Sequence, residues 1–202
     1  MKSSLFRFWC VALLPGTLWA QRVQSMDISV MFGPWRVNAQ TIPGTNVTLS
    51  GTHGHAFEAN FGYQVLRRPT GSLWVEFMPL TSTSPGKIRG NGIAGSVDLS
   101  MSTFTPGVRY MVPLTSRFSV YGALGGGFGF FNRAGVQATT PPTVISGLTT
   151  HGVLDFGGGV DFRLIQWVSV RAEVRDYVTG AGLSGVPGPN HVVPVAGLVG
   201  HF

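Results

Sequence analysis

Residues 168 to 178, VSVRAEVRDYV, place Arg171, Glu173 and Arg175 at every second position, with Val168, Val170, Ala172 and Val174 between them. A period of two belongs to a β-strand whose two faces meet different surroundings. Only 11% of the residues are charged, against about a quarter in an ordinary soluble domain. A chain this poor in charge that lines three of them along one face must fold so that this face and its apolar opposite are kept apart.

The same alternation recurs along the chain. Eight segments carry it, near 26–34, 53–65, 72–79, 97–112, 118–132, 152–164, 168–179 and 191–202, separated by clusters of Gly, Pro, Ser, Thr and Asn. The connections after the second, fourth and sixth segments are tight (LRRPTGS, PLTSR, IQW), whereas those after the first, third, fifth and seventh are long and polar. Long and short ends therefore fall on opposite sides, the layout of an up-and-down barrel with one elaborated rim. No stretch of the body is apolar for the ~18 residues that a membrane helix needs. Residues 1–20 are separate: Lys2 and Arg7 precede an apolar run from Phe8 to Leu14, then Pro15, Gly16 and Ala20, which reads as a secretory signal cleaved before Gln21. The domain is then 21–202. The single cysteine, Cys10, falls inside that run, so the remainder is expected to have no disulfide and no thiolate metal site. Its twelve basic residues, eleven of them arginine, are scattered, which excludes the clustered basic stripe of a nucleic-acid binder.

The two faces differ sharply. One reads Met26, Ile28, Val30, Phe32; Phe57, Ala59, Phe61, Tyr63, Val65; Leu73, Val75, Phe77; and continues through Phe118, Val120, Leu124, Phe128, Phe130, Leu154, Phe156, Val160, Phe162, Leu164, Val192, Ala196, Leu198 and Phe202. The other holds Asp27, Glu58, Asn60, Gln64, Glu76, Asp155, Asp161, Arg163, Arg171, Glu173, Arg175 and a series of glycines. A soluble barrel would bury the apolar face and a membrane barrel would turn it to lipid. Low charge, small residues on the polar face (Gly125, Gly127, Gly129, Gly157, Gly159) and aromatics at the short-turn ends (Tyr63, Tyr110, Phe118, Phe162, Phe202) favour lipid. Arg171 and Arg175 turned outward would each cost roughly 2–4 kcal/mol near the bilayer midplane, so they face inward. The expected fold is all-β, an eight-stranded antiparallel up-and-down transmembrane barrel.

The turn Ile165 to Trp167 fixes a register. Three connecting residues pair Asp161 with Arg171 and set Glu173 and Arg175 opposite Gly159 and Gly157, whereas five would oppose Arg163 to Arg171 and Asp161 to Glu173. In the fourth segment Asp98, Ser100 and Ser102 share one parity and Arg109 has the other, so a bulge is expected near Thr105, Pro106 and Gly107. The interior charge network is expected to comprise Glu58, Glu76, Arg109, Asp155, Asp161, Arg163, Arg171, Glu173 and Arg175, as a salt-bridged plug.

The terminal run VPVAGLVGHF, with apolar residues at alternate positions before Phe202, resembles the ends of the small outer-membrane β-barrel proteins, the group that includes the transmembrane domain of outer membrane protein A and the opacity-type barrels. The resemblance spans the whole chain after residue 20. It implies a bacterial outer-membrane location, Phe202 as a signal read by the barrel-assembly machinery, and outer-membrane lipid as the surrounding partner.

Chemistry has little support in the residues. His53 and His55 share a face without an evident third ligand and read as a rim pair; His151 and His191 start strands at the long-loop rim and His201 adjoins the terminus. GALGGGFGFF and FGGGV open no helix and carry no Lys, so they are strand glycines rather than phosphate loops. No catalytic residue, cofactor or metal is assigned. The expected role is a non-enzymatic barrel serving envelope integrity or surface contact through four surface loops, whose ligand the sequence does not name. A narrow porin-like conduit and an outer-membrane lipid-modifying enzyme are the alternatives; the latter requires a His, a Ser and a carboxylate to converge at the outer rim.

Overall fold

A computed structural model describes residues 25–36, 39–41, 46–51, 53–90, 93–137, 143–179 and 190–202. The expected signal segment lies outside them. The strands are β1 (Met26–Arg36), β2 (Gln40–Thr41), β3 (Thr48–Gly51), β4 (His53–Arg68), β5 (Gly71–Gly90), β6 (Ile93–Pro113), β7 (Phe118–Gln137), β8 (Thr143–Ile165), β9 (Val168–Thr179) and β10 (Asn190–His201). All pairings are antiparallel. β4, β1, β10, β9, β8, β7, β6 and β5 follow one another around a ring that the β5–β6 and β4–β5 pairings complete, and β2–β3 forms a small hairpin that joins the outer end of β5. This is the expected eight-stranded up-and-down barrel. Its last seam, β1 against β10, is tied at the base, where the Phe202 amide N–H donates to the Met26 carbonyl at 2.9 Å.

The apolar face looks outward. Ile28, Phe32, Phe61, Phe77, Leu124, Phe156 and Leu198 are all more than 40% exposed, while Asp27, Glu58, Glu76, Arg109, Asp155, Arg171 and Arg175 are at most 2% exposed on the inside. A surface of phenylalanine, leucine and valine around the middle of the ring suits hydrocarbon. On it Phe104 stacks with Phe77 and Phe128 at ring-centre distances of 6.4 and 5.7 Å. Tyr63, Tyr110, Phe162 and Phe202 stand exposed at the short-turn end, joined there by Trp167, as an interfacial girdle requires.

Two expectations are corrected. The long polar connections after the third and fifth strands are largely strand: β5 and β6 pair without interruption from Ser72↔Met111 to Gly90↔Ile93, and β7 pairs with β8 out to Gln137↔Thr143. Their Thr, Ser, Val and Ile content sustains a sheet outside the membrane as well as in it. The bulge at Thr105, Pro106 and Gly107 does not occur. The β6–β7 register is the same on both sides, Phe104↔Phe128 and Gly107↔Gly125, so Pro106 interrupts the ladder without an inserted residue. Odd-numbered residues of β6 face inward from Val97, Leu99 and Met101 through Thr103 and Thr105 to Arg109, and Asp98 points out to solvent. The faces do not switch; the environment does. Beyond the bilayer the outside is water, so polar residues belong outside and apolar ones inside, where Met31, Trp35, Met78, Leu80, Leu99, Met101 and Phe131 form a core in the outer half of the barrel.

Bulges do occur at the short-turn end, between Gln64 and Leu66 and between Arg163 and Ile165. The inverted amphipathicity gives a direct test. Leu124→Arg, on the lipid face, is expected to lower stability by roughly 2–4 kcal/mol in urea titrations of the protein refolded into lipid vesicles. Ser100→Arg, outward-facing beyond the bilayer on β6, is expected to cost less than about 1 kcal/mol. Equal losses would contradict the placement of the two levels.

Candidate functional site

The inner half of the barrel contains six of the eight acidic residues of the chain, Asp27, Glu58, Glu76, Asp155, Asp161 and Glu173, all buried. Three buried arginines come from two strands: Arg109 from β6, Arg171 and Arg175 from β9. The register that places them is the one parity demands, with Asp161↔Arg171, Gly159↔Glu173 and Gly157↔Arg175. The turn itself is only Gln166 and Trp167, and the bulge after Arg163 absorbs the remaining residue.

Arg175 is the hub of the upper layer. Its Nη2 lies 2.5 Å from Glu76 Oε1, its Nη1 2.7 Å from Asp155 Oδ2 and its Nε 2.7 Å from Glu173 Oε1. One guanidinium thus joins carboxylates from β5, β8 and β9 by charge-assisted bonds, the strongest class available to neutralise them. In the layer below, Asp27 bridges two arginines: its Oδ2 lies 2.6 Å from Arg109 Nη2 and 2.8 Å from Arg171 Nη2. Arg171 Nε also donates to Asp161 Oδ2 at 3.1 Å. Arg109 Nη1 sits 3.7 Å from Glu76 Oε2, which links the layers, and Asn60 Nδ2 donates to that oxygen at 3.0 Å.

Aromatic rings fill the space between the charges. Tyr121 donates its hydroxyl to Glu173 Oε2, and its ring lies 5.5 Å from the Arg109 guanidinium and 5.4 Å from that of Arg171. Trp74 covers Arg109 from another side at 5.2 Å. Such planar contacts solvate a cation where water is excluded. Glycines make the room: a Cβ at Gly62 would come within 2.8 Å of Arg109 Nη2, and one at Gly125 within 3.1 Å of Asp155 Cγ.

Eight of the nine residues expected in the network thus lie buried in the lumen. The ninth, Arg163, is half-buried at the short-turn mouth. Glu58 is 1% exposed in the same region, and its Oε1 has no hydrogen-bond partner among the described residues. Asp27, Asn60, Tyr121 and Trp74 are the members that sequence reasoning did not assign to it. Asp27 stood on the polar face of β1, and the closed ring brings it between Arg109 of β6 and Arg171 of β9.

The histidines do not form a reactive cluster. His53 and His55 are exposed, with His55 stacked on Phe32 at 5.4 Å. His191 is buried against Trp35 and Phe131 at 6.4 and 6.3 Å. One His–Ser contact, His201 Nε2 to Ser169 Oγ at 2.6 Å, lies at the short-turn end, and Ser169 is 0% exposed. No group of three potential metal ligands occurs among the described residues.

A closed ring with a lipid-suited exterior and a charge-paired, side-chain-filled interior defines a small transmembrane β-barrel. Its fold is that of the small bacterial outer-membrane β-barrel proteins. The crystal structure of the outer membrane protein OprG from Pseudomonas aeruginosa matches 90% of this chain and 97% of its own length, with a TM-score of 0.61 at 16% identity. The outer membrane protease OmpT from Escherichia coli matches 88% and 97%, with a TM-score of 0.53 at 8% identity. No protein-family model and no curated protein matches the chain. At these identities the likeness concerns the fold; one of the two structures is a protease by name, so any difference in role has to come from the site.

The hub position of Arg175 yields a quantitative expectation. Arg175→Met leaves Glu76, Asp155 and Glu173 without their shared cation, and breaking buried pairs in this way costs about 3–5 kcal/mol. Arg89→Met, at an exposed outer position on β5, is expected to cost less than about 0.5 kcal/mol. Urea titration in lipid vesicles measures both; a loss at Arg175 no greater than at Arg89 would show that the layer is not a coupled unit.

Proposed function

We propose that this chain is a non-enzymatic bacterial outer-membrane protein whose interior is structural and whose outer strands and loops serve envelope integrity or surface contact. The observation that carries the reading is the closure of the lumen: Arg109, Arg171 and Arg175 are 0%, 0% and 1% exposed, so the three guanidiniums at its centre are sealed from solvent at both ends. An interior of this kind stiffens the barrel and leaves the strands beyond the bilayer as the part that can meet a partner. Outer-membrane lipid surrounds the wall, and the barrel-assembly machinery is the partner during insertion. The secretory signal over residues 1–20 brings the chain to that machinery, and Phe202, exposed at the short-turn end beside the closing seam, is the residue it reads.

Two measurements test this. Planar bilayers containing the purified protein are expected to show no unitary conductance steps, and a strain lacking it is expected to become more sensitive to detergents and bulky antibiotics. Steady ion conductance through the unmodified protein would favour the conduit instead. Removal of Phe202 is expected to reduce the heat-modifiable, membrane-inserted fraction on gels several-fold while synthesis continues; unchanged assembly would remove its assigned role.

A further inference from the structure

The short-turn mouth carries charge of the opposite sign to the lumen, and the role proposed above makes no use of it. A basin of about 310 Å3 opens there, walled by Arg67, Arg68, Arg117, Arg163 and His201 with Asp161 at its floor. Asp161 is the one acid among the described lining residues, and Arg171 already engages it at 3.1 Å. The remaining carboxylates of the lumen lie deeper, grouped around the three arginines of the charge layer.

Backbone features gather these arginines. By the parity of Phe61, Tyr63 and Val65, Arg67 would face lipid. The bulge between Gln64 and Leu66 shifts the register by one residue, so Arg67 stands opposite Ser72, on the face of β5 that bears Trp74 and Glu76. Arg163 shares the interior face of β8 with Asp161, and its amide N–H donates to the Arg117 carbonyl at 2.8 Å, which draws the β6–β7 connection over the mouth. A guanidinium offers a planar fork of N–H donors that matches phosphate oxygens. Arg67, Arg68 and Arg117 set three such forks around one concave surface, which offers an anion more than a single exposed arginine does.

We infer that this basin binds a phosphate-type oxyanion, supplied either by an anionic phospholipid headgroup at the adjoining membrane surface or by a soluble phosphate compound. Trp74 borders the basin and donates its Nε1 proton to Ser72 Oγ at 2.8 Å, which provides a reporter. The barrel in phosphatidylcholine nanodiscs is titrated with inorganic pyrophosphate at constant ionic strength while the Trp74 indole N–H, assigned with Trp74→Phe, is followed by NMR. A saturable shift that matched chloride does not produce is expected, weakened at least about tenfold in the Arg67→Ser/Arg117→Ser double variant. Both side chains are exposed, so the variant keeps its fold, and its heat-modifiable migration verifies this.

Nanodiscs containing phosphatidylglycerol distinguish the sources. A shift present before titration identifies the headgroup; a shift that appears only with pyrophosphate identifies the soluble anion. Absence of a saturable shift in both nanodiscs overturns the site. So does a folded double variant that binds as the parent does.

Discussion

In hydrocarbon no backbone N–H or C=O can turn to water, so a sheet persists there only when its first and last strands meet. That meeting, β1 against β10, is the constraint from which the remaining structure follows. Eight strands close on an interior just wide enough for side chains. Whatever the lipid face rejects must be packed into that narrow space, and the chain's acids are concentrated there. Residues without side chains, at Gly62 and Gly125 among others, are the condition for fitting Asp27, Arg109 and Asp155 together.

The charge layer is better understood as a device for register than as a source of stability. Burying an ion pair costs desolvation that its Coulomb attraction barely repays, whereas leaving one member alone is severely unfavourable. A one-residue slip of β9 would carry Arg171, Glu173 and Arg175 to the lipid side together, and a slip by two that set Arg171 opposite Arg163 would also set Glu173 opposite Asp161, two like-charge pairs. Because Asp27 joins arginines from β6 and β9 while Arg175 joins acids from β5, β8 and β9, the penalty for misalignment is shared around most of the ring.

Much of this was legible in the sequence where one rule held throughout. Within the bilayer, polar means inside, so Phe61, Leu124, Phe156 and Arg171 could each be assigned a face from parity, and the β8–β9 register followed from avoiding like charges. The same rule failed for Asp98, Ser100 and Ser102. They lie above the membrane, where polar means outside, and applying the bilayer rule to them produced a bulge that β6 does not have. A local run of alternating residues carries no mark of its height along the barrel axis; only the uninterrupted pairing of β5 with β6 fixes it. Arg67 eluded sequence reasoning for the converse reason, since its face is reset by a bulge that nothing in LRRP announces.

The closing seam shows how sparsely the ring can be fastened. Its pairing runs from Asp27↔His201 to Phe32↔Ala196 and stops, although β1 continues to Arg36 along β4 and β10 begins at Asn190 along β9. Pro34 and Pro194, one on each strand just beyond the last pair, have no N–H to contribute, so the ladder loses its donors on both sides at once. Contact is kept instead by close approach: a Cβ on Gly33 would lie 2.9 Å from the Pro194 carbonyl carbon and 3.0 Å from Val195 Cα. Glycine here lets two backbones touch where they cannot pair. Each strand at this level is held by its other neighbour, so the ring tolerates a seam that would be untenable in an open sheet, and Trp35, Val193 and Val195, all buried, present to it from within the same apolar chemistry that the lipid presents from outside.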